Sequence, residues 1–248
     1  MQESVTIDQK EFYTSITFFD PASNSLPGAT LENLVSAISK CASHASNTIL
    51  LQSAGERAFC AGASFGELTQ IQNDEQGLAF FSGFGNVINA MRTSPKIIIS
   101  RVQGKAVGGG VGLISASDFS IASRYASVRL SELAIGIGPF VIGPAVERKI
   151  GTSAFRKLAL TPEDWQTAQW AQAHGLYDEV FDEMEQVDAY INHLAGKWAA
   201  YSPEALRELK KVFWEGTDHW PDLLKEKAGI SGRLIQSEFT KNAIAQRN

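Results

Sequence analysis

Lys96-Ile97-Ile98-Ile99-Ser100-Arg101-Val102-Gln103-Gly104-Lys105-Ala106-Val107-Gly108-Gly109-Gly110-Val111-Gly112-Leu113-Ile114-Ser115 decides how the chain folds. Lys96 to Val102 is a short, nearly continuous apolar run, the pattern of a strand covered on both faces. The glycines at 108–110 then lead into Leu113-Ile114-Ser115-Ala116, a small-residue entry to a helix. Asp118 to Ala122 and Ser127 to Leu130 read as two more strands. Upstream, Leu78, Phe81, Phe84, Ile88 and Met91 share one helical face, and that helix stops before Pro95. Further back come a strand at Thr48 to Gln52 and a small-residue loop, Ala58 to Ser64. A helix carries Leu31, Leu34, Val35, Ile38 and Cys41, with Thr30 as its N-cap. Asp20 to Asn24 is a turn, preceded by a strand at Tyr13 to Phe19.

From Pro139 onward the pattern is nearly all helical. Trp165 to His174 reads as a helix with Gly175 at its C-terminal end, and Ser202-Pro203 as an N-cap followed by proline. The expected fold class is α/β: a core of repeated strand-strand-helix units over 1–195, followed by a helical region over 196–248.

Composition bounds the function. The 248 residues are 44% hydrophobic and 20% charged, as in ordinary globular proteins. A chain of this size buries about 70% of its surface and needs no disulfide or metal staple. A formal net charge of −5 argues against a nucleic-acid surface. Cys41 and Cys60 are too few for a secreted disulfide scaffold, and neither has metal-ligand spacing. Met1-Gln2-Glu3-Ser4 has neither the basic nor the apolar region of a signal peptide. Leu133 to Val146, the most apolar stretch, is too short to span a bilayer. The expectation is a cytoplasmic protein with no metal, membrane or nucleic-acid partner.

The glycine-rich loops admit three uses. A dinucleotide fingerprint needs glycine where Leu113 stands. Gly62-Ala63-Ser64-Phe65-Gly66 matches the nucleophile elbow of a serine hydrolase, with Ser64 as nucleophile, but no apolar strand runs into it and the glycine-rich segment follows it. The third use takes both loops together: small side chains expose backbone N–H groups, and two such groups aimed at one point hold a developing oxyanion.

The third use gains weight from a resemblance. Ala58-Phe59-Cys60-Ala61-Gly62-Ala63, Arg101 to Gly110, Asp118-Phe119-Ser120-Ile121-Ala122, Leu130 to Ile137 and Ala171 to Leu176 resemble, in order, motifs of the crotonase (enoyl-CoA hydratase/isomerase) superfamily. The resemblance implies a spiral of β-β-α units with a helical C-terminal trimerisation region, forming a homotrimer or a dimer of trimers. It also implies an acyl-CoA thioester substrate, with coenzyme A part of the substrate and no separate cofactor. The backbone amides of Ala63 and Gly109 would form the oxyanion hole, and Glu132 would be the acid/base. Ala61, Gly62, Ser64, Phe65, Gly108, Gly112 and Ser131 would surround the substrate, with Ser131 orienting Glu132.

Two departures from the family pattern stand out. Gly112 occupies the position of a first catalytic glutamate, which leaves a hole there, and Pro21-Ala22-Ser23 lacks the cations many members carry. Arg57, Lys210 and Lys211 are the substitutes for holding the CoA phosphates. Glu132, flanked by Leu130, Leu133 and Ile135, should have a raised pKa. The strings around Gly112, Glu132 and Pro139-Phe140-Val141-Ile142 resemble hydratases of branched glutaconyl-CoA esters. The single glutamate favours a double-bond isomerase on chemical economy, whereas this resemblance favours the hydratase; a non-catalytic acyl-CoA binder is the third possibility. Asp118 reads as structural, Glu67 as a solvated helix residue, and the five tryptophans as core or subunit contacts.

Overall fold

The computed structural model describes residues 4–246, so the reading of Met1-Gln2-Glu3 lies outside the described residues. The chain opens with β1 (Val5–Gln9), β2 (Thr14–Phe18) and α1 (Gly28–Cys41). Next are β3 (Thr48–Ser53), β4 (Ala58–Cys60), α2 (Phe65–Leu68) and α3 (Asp74–Thr93). A second unit has β5 (Ile97–Val102), β6 (Lys105–Val107) and α4 (Gly109–Ser115). A third has β7 (Phe119–Ser123), β8 (Val128–Arg129) and a 3₁₀ turn, Glu132–Ile135. The remainder is α5 (Gly143–Leu160), α6 (Ala168–Ala173), β9 (Glu179–Phe181), α7 (Met184–Ala199), α8 (Pro203–Phe213), α9 (Trp220–Leu234) and α10 (Glu238–Ala245).

The first strand of each unit joins one sheet and the second strand joins another. The larger sheet has order β1-β2-β3-β5-β7-β9, and the smaller has order β4-β6-β8. All pairings are parallel except β1 with β2. This is the expected β-β-α spiral. Alternate residues of β3 and β5 explain the apolar run: Ile49, Leu51 and Ile98 face the main core. Leu50 and Ile99 face the other way, onto Val187 and Ile191 of α7.

Several local expectations need correction. The segment Ala58–Cys60 is a strand and not loop, because it pairs with Lys105 and Ala106 in the smaller sheet. β1 and β9 were not anticipated; β9 is three residues long and is held by β7. Thr30 is buried inside α1 and does not cap it; the N-cap position is Pro27, and the Glu67 carboxylate accepts the Gly28 N–H at 2.8 Å. Glu67 is therefore a cap from another element. α6 begins only at Ala168, where Thr167 Oγ1 accepts the Trp170 N–H. The junction expected at 195–196 falls inside α7.

The C-terminal helices pack back onto the spiral. α9 lies against α3 so closely that a Cβ on Gly77 would stand 2.6 Å from the Cα of Gly232. α8 is fastened by charge. Lys210 Nζ meets Asp118 Oδ2 at 2.8 Å, with both side chains almost fully buried, and donates to the Lys96 carbonyl at 2.7 Å. Asp118 also accepts from the Ile98 N–H and from Trp214 Nε1, each at 2.8 Å. Burial lowers the Lys210 pKa, and Asp118 pulls it back up. Removing one member leaves the other charge buried and unpaired. Lys210→Met is expected to lose about 3–5 kcal/mol of stability in denaturant titration, more than the loss for Lys211→Met on the exposed face of α8.

Candidate active site

Both glycine-rich loops leave the smaller sheet on neighbouring strands, one after β4 and one after β6. In the first, Leu26 N–H donates to the Gly62 carbonyl at 2.8 Å and Ser64 N–H donates to the Leu26 carbonyl at 3.3 Å. This is a one-residue parallel bridge between Leu26 and Ala63. In such a bridge the partners flank Ala63, so its own N–H points away from Leu26. Gly62 has φ +93°, and a Cβ there would press to 3.1 Å from the Val107 carbonyl oxygen, so only glycine fits.

The second loop turns at Gly108, with φ +51°, whose N–H donates to the Arg129 carbonyl at 3.0 Å. Gly109 opens α4, and an N-terminal amide of a helix has no acceptor within it. Among the described residues neither the Ala63 nor the Gly109 amide has an acceptor. The two loops abut: a Cβ on Gly62 would lie 3.8 Å from the Gly109 nitrogen.

Glu132 begins the 3₁₀ turn beside them. A Cβ on Gly108 would lie 2.8 Å from Glu132 Oε1, so the missing side chain makes room for the carboxyl group. Oε2 is shut away from solvent without a hydrogen-bond partner. Burial pushes the Glu132 pKa up to about 7, opposed by its own backbone N–H, the Arg129 charge and the Ser131 backbone N–H. Ser131 thus acts through its main chain, because its side chain caps nothing at this turn. α10 supports the turn's far end, where a Cβ on Gly136 would meet Thr240 Oγ1 at 2.5 Å.

A single cleft joins these groups. It is lined by Ala61, Gly62, Ala63, Phe65, Gly108, Gly109, Ser131 and Glu132, all expected from the sequence. The remaining lining is mainly apolar, from Leu68, Phe81 and Phe84 to Ile137, Phe140 and Ile142, with Ser231 of α9. Glu132 is the only ionisable side chain among the described lining residues. Phe84 and Ser231 were missed as cleft residues, since each carries only the helical periodicity of a core position.

Two expected substrate contacts lie elsewhere. Ser64 is not in the lining; its Oγ accepts the Glu67 N–H as the N-cap of α2, and no histidine hydrogen-bonds it, so the hydrolase reading fails. The earlier objection that no strand enters this turn was mistaken, since β4 does. Gly112 does not face a hole either. A Cβ there would stand 2.5 Å from Ile142 Cγ2, so isoleucine fills the space. Of the candidate phosphate-binding cations, Lys210 is buried on Asp118 and Lys211 pairs with Glu208.

A model described as enoyl-CoA hydratase/isomerase matches residues 9–244. The chain belongs to the enoyl-CoA hydratase/isomerase family. It is 28% identical over 244 residues to a probable enoyl-CoA hydratase of Bacillus subtilis, covering 97% of this chain and 93% of that one. It is 30% identical over 192 residues to the 2,3-dehydroadipyl-CoA hydratase of Escherichia coli, covering 77% and 73% respectively. The mouse mitochondrial methylglutaconyl-CoA hydratase matches at 29% over 201 residues, covering 79% and 63%. The crystal structure of an enoyl-CoA hydratase from Bacillus halodurans has the same fold, with a TM-score of 0.90 at 21% identity over 98% of this chain and all (100%) of that one. This family membership makes the chain an enzyme of acyl-CoA thioesters. Among the described residues, no helix is long and apolar enough to cross a membrane.

The contact between Gly112 and Ile142 gives a direct test. Gly112→Ala is expected to cost about 1–3 kcal/mol by overpacking. Adding Ile142→Leu, which removes the Cγ2 branch at the clash while keeping the side-chain volume, should recover part of the lost melting temperature.

Proposed function

We propose that this enzyme hydrates the C2–C3 double bond of a 2-enoyl-CoA thioester to give the 3-hydroxyacyl-CoA. One observation carries the proposal: a carboxyl group with a pKa of about 7 is enclosed in an apolar cleft beside two amides that lack acceptors. The thioester oxygen accepts from the Ala63 and Gly109 N–H groups. A water oxygen adds to C3 while Glu132 takes its proton, and the π electrons move onto the thioester oxygen. The enolate then returns its electrons, and C2 takes the proton from Glu132. The net change is addition of H and OH, with the carboxylate restored. One carboxyl group near half-ionisation suffices, because it first accepts and then donates the same proton. Coenzyme A is part of the substrate, and the step consumes no other cofactor.

The acyl group in this proposal is uncharged. The named relatives acting on methylglutaconyl-CoA and 2,3-dehydroadipyl-CoA handle chains with a free carboxylate. Among the described residues this cleft has no lining cation to meet one, and its apolar walls favour a hydrocarbon chain. A homotrimer, alone or paired into a hexamer, belongs to the same proposal. The exposed Leu209, Val212 and Phe213 of α8 are apolar surface that association would cover.

Isomerisation of a 3-enoyl-CoA is the second reading, favoured by Glu132 being the only ionisable lining residue. Activity on a 3-enoyl-CoA with none on crotonyl-CoA would decide for it. For the hydratase, kcat/KM on crotonyl-CoA is expected to exceed that on 3-methylglutaconyl-CoA by at least about tenfold.

Glu132→Gln is expected to lower hydration by about 100- to 10,000-fold while retaining CoA ester binding. In the unaltered enzyme, activity rises with pH through about 7 as Glu132 ionises. Stability runs the other way. The folded state holds the proton that the unfolded chain releases near 4.5, so this contribution is lost as pH rises from about 4.5 to 7. Thermal melts above pH 7 should therefore show Glu132→Gln more stable than the parent, and a lower melting temperature there would refute the buried carboxylate.

A further inference from the structure

Cys60 is a buried thiol that the proposed chemistry leaves unused. Burial pushes its pKa up to about 12, so at neutral pH it is a protonated thiol and neither a nucleophile nor a metal ligand. Its contacts nonetheless reach both loops of the site. Sγ accepts the Gly62 N–H at 3.3 Å. On its other side the same residue lies against the start of α4: a Cβ on Gly110 would stand 2.7 Å from Cys60 Cβ, 3.0 Å from its carbonyl oxygen and 3.2 Å from Sγ.

The sheet does not by itself fix the spacing of these loops. The pairing of β4 with β6 shifts register between Ala58 and Cys60. Beyond Cys60, the next contact between the loops is Gly62 against Val107 and Gly109. The sulfur therefore sits where the ladder ends and the two amide-bearing turns begin.

We propose that Cys60 is a positioning residue whose sulfur sets the separation of the Ala63 and Gly109 amides, holding the Gly62 N–H on one side and bearing on the Gly110 backbone on the other. This rests on the reading of those amides as the donors to the thioester oxygen. Sulfur suits the task by size. A hydroxyl oxygen in its place bonds an N–H nearer 2.9 Å, drawing Gly62 inward by a few tenths of an ångström. A methyl group makes no bond and leaves a buried N–H unsatisfied.

The test compares Cys60→Ser and Cys60→Ala with the parent enzyme and with Cys41→Ser, which alters the other buried thiol, on α1. Kinetics use crotonyl-CoA. The position of the thioester donors is read without turnover from the red shift of the absorption band of 4-(dimethylamino)cinnamoyl-CoA on binding. The expected order of kcat is parent, Cys60→Ser, Cys60→Ala, with a fall of a few fold for serine and about 10- to 100-fold for alanine. KM stays nearly constant, Cys41→Ser matches the parent, and the red shift shrinks in the same order. Parent-like kcat and red shift in Cys60→Ser and Cys60→Ala would overturn the proposal, as would a rise in KM that accounts for the whole loss. If Cys60→Ala does not fold, Cys60→Ser decides: unchanged kcat and band position overturn the proposal, and a paired decrease supports it. Absence of any red shift in the parent would instead refute the two-amide reading itself, and the proposal with it.

Discussion

A backbone N–H with no acceptor is costly inside a folded protein, and this fold keeps two of them close together. Everything around the cleft follows from making that arrangement stable. The spiral sends β4 and β6 to adjacent places in the smaller sheet, so two turns distant in sequence leave the sheet side by side. Leu26 then claims the groups on either side of Ala63 and leaves the middle amide unpaired. At Gly109 the same result comes from the start of a helix. Glycines at 62 and 108 adopt positive φ at the two points where a side chain would strike the opposite loop or the carboxyl group. In the proposed mechanism the cost of leaving these two donors unpaired is recovered when the thioester oxygen, with its growing negative charge, accepts from them.

The carboxyl group of Glu132 is under the same kind of constraint. Water is kept from Oε2, so ionisation is suppressed until near neutrality. Arg129 and two main-chain N–H groups offset that suppression only in part. The balance yields a group that is neither a strong acid nor a permanent anion, which suits the proposed role of accepting and then donating one proton. Ile142 occupies the space in front of Gly112, so a larger residue at 112 would strike it.

Much of the framework was legible in the sequence. The apolar run at 96–102 announced a strand covered on both faces, and the structure shows why: alternate side chains serve the main core and α7. What escaped were features decided by distant partners. β4 and β9 are three residues each and exist because a neighbouring strand pairs with them. Thr30 carried the local cue for a cap, yet a glutamate from another helix took that place. Lys210 carried the charge expected of a phosphate ligand, and its burial against Asp118 is invisible without the fold. The proposed site residues came from motif resemblance, and Ala61, Gly62, Ala63, Phe65, Gly108, Gly109, Ser131 and Glu132 line the cleft. The hole expected at Gly112 failed because Ile142 comes from a segment thirty residues onward. Periodicity marks which residues are buried; it does not say which ones face a cavity.

The crossing of α3 and α9 at Gly77 and Gly232 has a consequence for how the enzyme matures. Ser231, beside that contact, belongs to the wall of the cleft. Both loops and Glu132 precede it in the chain, the Gly62 loop by the greatest distance. The cleft wall is therefore complete only once α9 lies against α3. Glycine-to-glycine contact lets that helix settle against backbone without displacing a side chain, so its docking also brings Ser231 to the cleft wall.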